Sequence, residues 1–337
     1  MCALLLKNAN LFSKGAKLVS YINPRDVTHI TTLGAGPIGA GWAAFFLAGG
    51  FNVTAYLHSL DERVAFEEIL DTAWISLQAL GLSDGASRDK LVVTDDLATA
   101  VQGAHFIQES APERLDIKQS LYQRLGELVN QNVVIASSTS GLTMTQIQAD
   151  CNSAQRTVIA HPFNPPYLLP LVEIVGGQRS SPDAVSWTKE FYAHVGKSPL
   201  VMKKEIPGFV ATRLQEALWR EALHMVANGE ATPEDIDNAL INGPAARMAV
   251  QGQCMAFHVA CGEGGMATNL DQFGPALELP WTRLTAPPLT QELRDRMVDG
   301  CNSMTQGRHF TDMAAERDRA IVGIFKAIEQ AKTPQLD

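Results

Sequence analysis

The sequence predicts an α/β fold: a doubly wound, mainly parallel sheet followed by an all-helical domain. Three observations carry that expectation. Short runs rich in β-branched residues alternate with helical patterns from residue 27 to about residue 204. A glycine-rich turn closes the first of those runs, and strand signals stop after Pro207-Gly208. With 337 residues, 46% of them hydrophobic, the chain is large enough for two domains with substantial cores. The expected division is an N-terminal extension (1–26), a sheet domain (27–204) and a helical domain (205–337).

Residues 1–26 show no sustained periodicity and contain the turn signal Asn23-Pro24, so they read as an extension without chemistry. The apolar start at residues 1–6 is broken by Lys7 and Asn8 with no small-residue cleavage site after it, which predicts neither a signal peptide nor a membrane span. Strands are expected at 27–33, 52–57, 91–94, 105–108, 133–136, 157–160 and 171–175. Strands that alternate with helices imply βαβ units. Beyond Pro207-Gly208, the residues Val210, Leu214, Leu218, Ala222 and Met225 recur at helical spacing and make one face of a long amphipathic helix. Another helix begins at Thr232-Pro233-Glu234-Asp235, with Thr232 as N-cap, Pro233 in the first position and acids in the first turn.

Thirty-six acidic against 27 basic residues give a formal charge of −9. Such a chain has no cationic excess to neutralise phosphates, which excludes a general nucleic-acid or membrane-surface binder. The five cysteines, Cys2, Cys151, Cys254, Cys261 and Cys301, are odd in number and widely spaced, with no C-x-x-C pair. That pattern predicts reduced thiols, a cytoplasmic location and no metal site.

In Leu33-Gly34-Ala35-Gly36-Pro37-Ile38-Gly39 the three glycines follow a strand and open a helix, the context in which G-x-G-x-x-G binds a dinucleotide. Gly34 permits the tight turn, Gly36 admits a pyrophosphate to the backbone, and Gly39 allows close helix–sheet packing. The helix N–H groups attract the phosphates. The turn therefore predicts a Rossmann-type domain that binds NAD through residues 34–39. A lone match is as often a turn that needs glycine for backbone reasons. The acid that takes the ribose hydroxyls of NAD stands about twenty positions on. Here that place falls at Leu57, followed by His58, Ser59, Asp61 and Arg63. Asp61 can reach the ribose from the loop, or His58 and Arg63 can favour a 2′-phosphate, so NAD against NADP stays open on these residues.

His161 lies just beyond the expected strand at 157–160, at the strand end where open α/β sheets place their chemistry. Glu173 follows on the next strand, within reach across a hairpin-like return. A carboxylate on one ring nitrogen fixes the imidazole tautomer, and the other nitrogen can then take a proton from a substrate hydroxyl as hydride leaves. A lone histidine in a proline-rich loop is more often structural, and the whole set of motifs is what reverses that balance.

With this set the chain resembles the L-3-hydroxyacyl-CoA dehydrogenase superfamily from residue 27 to the C-terminus. Two further family features are present: Glu109 and Glu113 followed by Lys118, and the serine loop Ala136-Ser137-Ser138-Thr139-Ser140-Gly141. The resemblance implies that Glu113 and Lys118 contact the cofactor. It also implies that Ser140 hydrogen-bonds the reacting oxygen and that Asn164 holds the nicotinamide end or the dyad. It implies a homodimer as well, and the apolar helices of the C-terminal third point the same way. One departure is Thr212, after Pro207-Gly208-Phe209-Val210-Ala211, where the family often has asparagine. The region 61–90 is also short for the helical arm that resembles a CoA-binding element. Both features suggest a substrate smaller than an acyl-CoA.

Within the superfamily, the run from His161 to Glu173 is similar to the branch acting on L-carnitine and to the branch of L-gulonate dehydrogenase and lambda-crystallin. Leu218-Trp219-Arg220-Glu221-Ala222-Leu223, Asn242-Gly243-Pro244 and Gln272-Phe273-Gly274-Pro275-Ala276-Leu277-Glu278-Leu279-Pro280-Trp281-Thr282 tip the resemblance toward the first. The implied reaction is NAD-dependent oxidation of the 3-hydroxyl of L-carnitine or a close small 3-hydroxy acid. The rivals are L-gulonate, a 3-hydroxyacyl-CoA, and a crystallin-like protein that keeps the fold without turnover. A quaternary ammonium calls for aromatic faces and its carboxylate for a cation. Phe257, Phe273 and Trp281 are the available aromatics, although helix packing is their commoner fate. Arg220 and Arg247 are the available cations.

Overall fold

The computed structural model describes residues 20–279, 282 and 290–309, together with 312, 313, 316, 323, 324, 327 and 330. Eight strands form one sheet: β1 (His29–Leu33), β2 (Asn52–Tyr56), β3 (Leu91–Thr94), β4 (Phe106–Glu109), β5 (Val134–Ser137), β6 (Thr157–Pro162), β7 (Leu171–Gly176) and β8 (Ser198–Val201). Their order is β3-β2-β1-β4-β5-β6-β7-β8. β1 to β6 run parallel, β7 runs antiparallel to β6, and β8 runs parallel to β7.

The helices that cover the sheet are α1 (Pro37–Ala48), α2 (Arg63–Leu80), α3 (Leu97–Val101), α4 (Leu115–Leu128), α5 (Met144–Ile147) and α6 (Pro182–His194). Successive strand residues enter opposite cores, as the pleat requires. Phe106, Val134, Ala136, Val158 and Ala160 join Trp42, Phe46, Phe66, Trp187 and Phe191 on one face. Ile107, Ile135 and Ile159 join Leu121, Leu125, Met144 and Ile147 on the other. Both faces are buried, so the strands read as near-continuous apolar runs. The first core is dominated by aromatics, with Phe106 and Phe191 ring centroids 4.5 Å apart and Trp187 stacked on Phe191 at 5.3 Å.

Two local expectations change. β8 carries no strong strand signal, because Ser198-Pro199-Leu200-Val201 is a largely exposed edge strand containing a proline, the position in a sheet where proline is tolerated. β6 extends two residues past the expected end, since the antiparallel ladder with β7 continues through His161 and Pro162. His161 therefore sits inside the strand rather than beyond it. The short region after β2 forms the helix α2, which buries Phe66, Leu70, Ala73 and Leu77 in the aromatic core.

Of the expected extension, residues 1–19 lie outside the described residues. Tyr21 and Ile22 pack on the sheet domain, and the Trp187 indole N–H donates to the Ile22 carbonyl at 2.5 Å.

The chain divides into two compact units on either side of the Arg213–Leu214 bond. The second unit is helical among its described residues: most of α7 (Ala211–Ala227), then α8 (Pro233–Leu240), α9 (Ala246–Met248), α10 (Gln253–Ala260), α11 (Gly265–Phe273) and α12 (Gln291–Thr305). Thr232 caps α8 in a reciprocal box with Asp235. A small core of Met255, Val259, Met266, Cys301 and Met313 holds α10 to α12.

Candidate active site

The antiparallel register sets His161 opposite Glu173, so the two side chains leave the same face of the sheet. His161 Nδ1 lies 2.9 Å from Glu173 Oε2, and both side chains are buried. The other carboxylate oxygen, Oε1, accepts the N–H groups of Val210 and Ala211, each at 2.9 Å. One carboxylate thus orients the ring and closes the first turn of α7, where orphan N–H groups and the helix dipole favour an anion. Burial alone pushes the Glu173 carboxyl up. The hydrogen bonds from His161 and from the Ala211 and Val210 amides outweigh that effect and hold it below its ordinary value. With Nδ1 committed, Nε2 is the nitrogen left for a substrate hydroxyl.

Two phenylalanines clamp the imidazole, with Phe163 at 5.2 Å and Phe209 at 5.3 Å between ring centroids. Phe209 is buried and left-handed, with φ 49°, directly after Gly208 at φ 71°. A left-handed non-glycine residue costs roughly 1–2 kcal/mol, which burial of its ring against His161 offsets. In the sequence Phe209 stands only as part of the Pro207-Gly208-Phe209 run, with nothing to mark its contact with His161.

Ser140 is exposed on the loop that follows β5, and β5 is the strand beside β6. Glu113 shapes this loop. Its Oε1 accepts from the Thr139 hydroxyl at 2.5 Å and from the amides of Ser140 and Gly141 at 3.1 and 3.0 Å. Lys118 is buried, donating to Glu109 Oε1 at 2.6 Å and to the Ala111 carbonyl at 3.0 Å. Glu109 also accepts from the Ser137 hydroxyl at 2.6 Å and the Ala111 amide at 2.6 Å. Both make hydrogen bonds that fix the loops at the ends of β4 and β5, and Glu113 Oε2, on a half-exposed side chain, lies 3.8 Å from Lys118 Nζ.

Asn164 is exposed in the turn after β6, where Asn164-Pro165 is cis. Lys197 anchors the chain just beyond it by donating to the Pro166 and Leu169 carbonyls. Its ammonium lies 3.9 Å from the Phe45 ring centroid, and burial lowers its pKa to about 8.

A cleft of about 700 Å³ opens at the first βα turn, lined by Gly34, Ala35, Gly36, Tyr56, His58, Glu62, Ser110 and Arg124 among others. That size lies within the usual range for ligand pockets, about 300–1,000 Å³. The turn fits a dinucleotide. Gly34 is at φ 118° and a Cβ there would strike the Ser110 carbonyl, whereas the space a Gly36 Cβ would take is open. Gly39 packs on the Gly34 carbonyl, and Gly36 caps α1 with Pro37 in its first turn. The amides of Ile38 and Gly39 have no acceptor within the helix. Asp61, one of the residues the sequence leaves open for the ribose, does not line the cleft, and Arg63 donates to Glu67 at 2.8 Å. Among the described residues no cluster of His, Cys, Asp or Glu can hold a metal ion.

In the second unit Phe257 and Phe273 are exposed rather than packed between helices. Trp281 lies outside the described residues. Arg220 is exposed on α7, 3.7 Å from Glu216, while Arg247 Nε is buried without a hydrogen-bond partner among the described residues.

Residues 29–206 match the family described as 3-hydroxyacyl-CoA dehydrogenase, NAD binding domain, and residues 208–305 match its C-terminal domain. An L-carnitine dehydrogenase from Streptomyces griseus subsp. griseus is 52% identical over 304 residues, 90% of this chain and 91% of that protein. One from Streptomyces coelicolor is 52% identical over 305 residues, 90% of this chain and 96% of that protein. Among solved structures, an NAD-dependent 5-formyl-3-hydroxy-2-methylpyridine 4-carboxylic acid 5-dehydrogenase superposes with a TM-score of 0.69. It is 28% identical, with 90% of this chain and 99% of that one covered.

Proposed function

The chain belongs to the 3-hydroxyacyl-CoA dehydrogenase family, and from that premise we propose that it oxidises the 3-hydroxyl of L-carnitine to the ketone with NAD. The observation that carries the chemistry is the buried His161–Glu173 pair at 2.9 Å. The substrate is supported by the L-carnitine dehydrogenases that match most of this chain at 52% identity.

NAD held along Gly34, Ala35, Gly36, Pro37, Ile38 and Gly39 supplies the acceptor for the hydride from the carbinol carbon. His161 Nε2 takes the hydroxyl proton, and Glu173, kept ionised, stabilises the imidazolium that results. Ser140 donates a hydrogen bond to the reacting oxygen, and Asn164 steadies the nicotinamide end. Glu113 is a positioning residue, because it fixes the backbone on either side of Ser140. Lys118 and Glu109 brace the strand ends beneath that loop.

The working protein is a homodimer, which the exposed Leu214, Leu218, Trp219 and Leu223 of α7 support. It works in the cytoplasm, in keeping with the free thiols of Cys151, Cys254, Cys261 and Cys301. Among the described residues no helix is long and apolar enough to cross a membrane.

The test is NADH formation, followed by absorbance, with L-carnitine, L-gulonate and 3-hydroxybutyryl-CoA offered separately. Turnover of L-carnitine with the highest kcat/KM is the expected result. Turnover of the thioester alone would overturn the small-acid reading.

A further inference from the structure

β2 ends without the acid that would take the ribose hydroxyls of a dinucleotide. Leu57 occupies that place, buried in the aromatic core, with its amide bonded to the Thr94 carbonyl. It does not line the cleft, whose wall at the end of β2 is made by Tyr56, His58 and Glu62. Glu62 arrives there through a capping box. The Ser59 hydroxyl accepts from the Asp61 amide at 3.2 Å, and Glu62 folds back so that its Oε2 accepts the amides of His58 at 3.1 Å and Ser59 at 3.4 Å. Those amides belong to the two residues that follow Leu57. A carboxylate is thereby fixed over the end of β2, although the sequence places it further along the chain. Glu62 Oε1 accepts no hydrogen bond among the described residues.

We propose that Glu62 reads the adenosine ribose of the cofactor and excludes a 2′-phosphate. The proposal rests on the NAD reading above. An ionised carboxylate accepts hydrogen bonds only, so it suits a pair of ribose hydroxyls and repels a phosphate. The other charged groups near this wall do not take that role. Asp61 is off the cleft, Arg63 is held by Glu67, and Asp116 is held by Arg114 at 2.6 Å. Arg124 and His58 line the same cleft. Once the Glu62 charge is removed, their presence favours the phosphate.

Calorimetric titration of the full chain with NAD and with NADP tests this. The proteins compared are the wild type, Glu62→Gln, which keeps an acceptor for the capping box, and Ser59→Ala, which keeps the Glu62 charge. The wild type should bind NAD more tightly. Glu62→Gln should weaken NAD by about 10-fold, the scale of a charged hydrogen bond, and should tighten NADP, so that their affinity ratio falls by more than 10-fold (~1.4 kcal/mol). Ser59→Ala should keep the wild-type ratio. If Glu62→Gln weakens both cofactors equally or leaves the ratio unchanged, Glu62 is a loop brace and the proposal is wrong. If the wild type does not bind NAD, the cofactor reading falls, and this proposal with it.

Discussion

His161 and Glu173 hold different shares of the chemistry, and their variants should separate accordingly. His161→Ala removes the base and should lower kcat by about 10²–10⁴-fold, while NAD affinity in titration stays near that of the wild type. Retention of most activity would remove His161 from proton transfer. Glu173→Gln keeps the shape of the carboxylate and loses its charge. The folded-state pKa of Glu173 lies below the ordinary carboxyl value of 4.5, so the folded state binds fewer protons than the unfolded one in that range. Its stabilisation is complete above pH 4.5 and disappears as the pH falls through the lower folded value. Denaturant unfolding below pH 4.5 should therefore show a shallower acid loss in Glu173→Gln than in the wild type. Parallel curves would mean that Glu173 is not held ionised by its partners. Both residues were legible in the sequence as a histidine near a strand end and an acid on the next strand. The contact of Phe209 with His161 and the fold-back of Glu62 were not, because a left-handed backbone and a carboxylate folded back across a turn leave only faint local marks: a Pro-Gly step and an S-x-x-E spacing.

At the scale of elements, the antiparallel β6–β7 pair is what makes a dyad out of two distant letters. A one-residue slip in that register would turn Glu173 to the opposite face of the sheet. The ends of β4 and β5 are joined by acids. Glu109 takes Lys118 and Ser137, and Glu113 takes the Ser140 loop. The resemblance implies that Glu113 and Lys118 contact the cofactor, and within the chain their hydrogen bonds go to the loops at the ends of β4 and β5. Glu113→Ala should therefore cut kcat by about 10-fold through a loosened Ser140 loop, each lost bond to a charged acceptor being worth about 1.5–3 kcal/mol before relaxation. NAD affinity should hardly change. Loss of NAD binding of the same size would instead put Glu113 against the cofactor. β8 escaped sequence reading for a related reason. An exposed edge strand needs little apolar alternation, and its pairing with β7 is a tertiary fact.

At the scale of the whole molecule, α7 presents an apolar row that the single chain leaves exposed, including Leu214, Leu218 and Trp219. If the proposed pairing uses this row, light scattering should report a dimer, and Leu218→Glu should shift it toward monomer by placing a charge on the pairing face. A wild type that runs as a monomer would overturn the pairing. Periodicity, turn chemistry and residue type are local properties, and they carried the α/β class, the glycine turn, a histidine and an acid on successive strands, and the change to helices after Pro207-Gly208. Folding in three dimensions was needed to set His161 opposite Glu173, to bring Glu113 onto the serine loop and to fold Glu62 back over the end of β2. Each of these depends on which backbone amides and strands meet in space, and such meetings are set by register and packing between segments far apart in the chain.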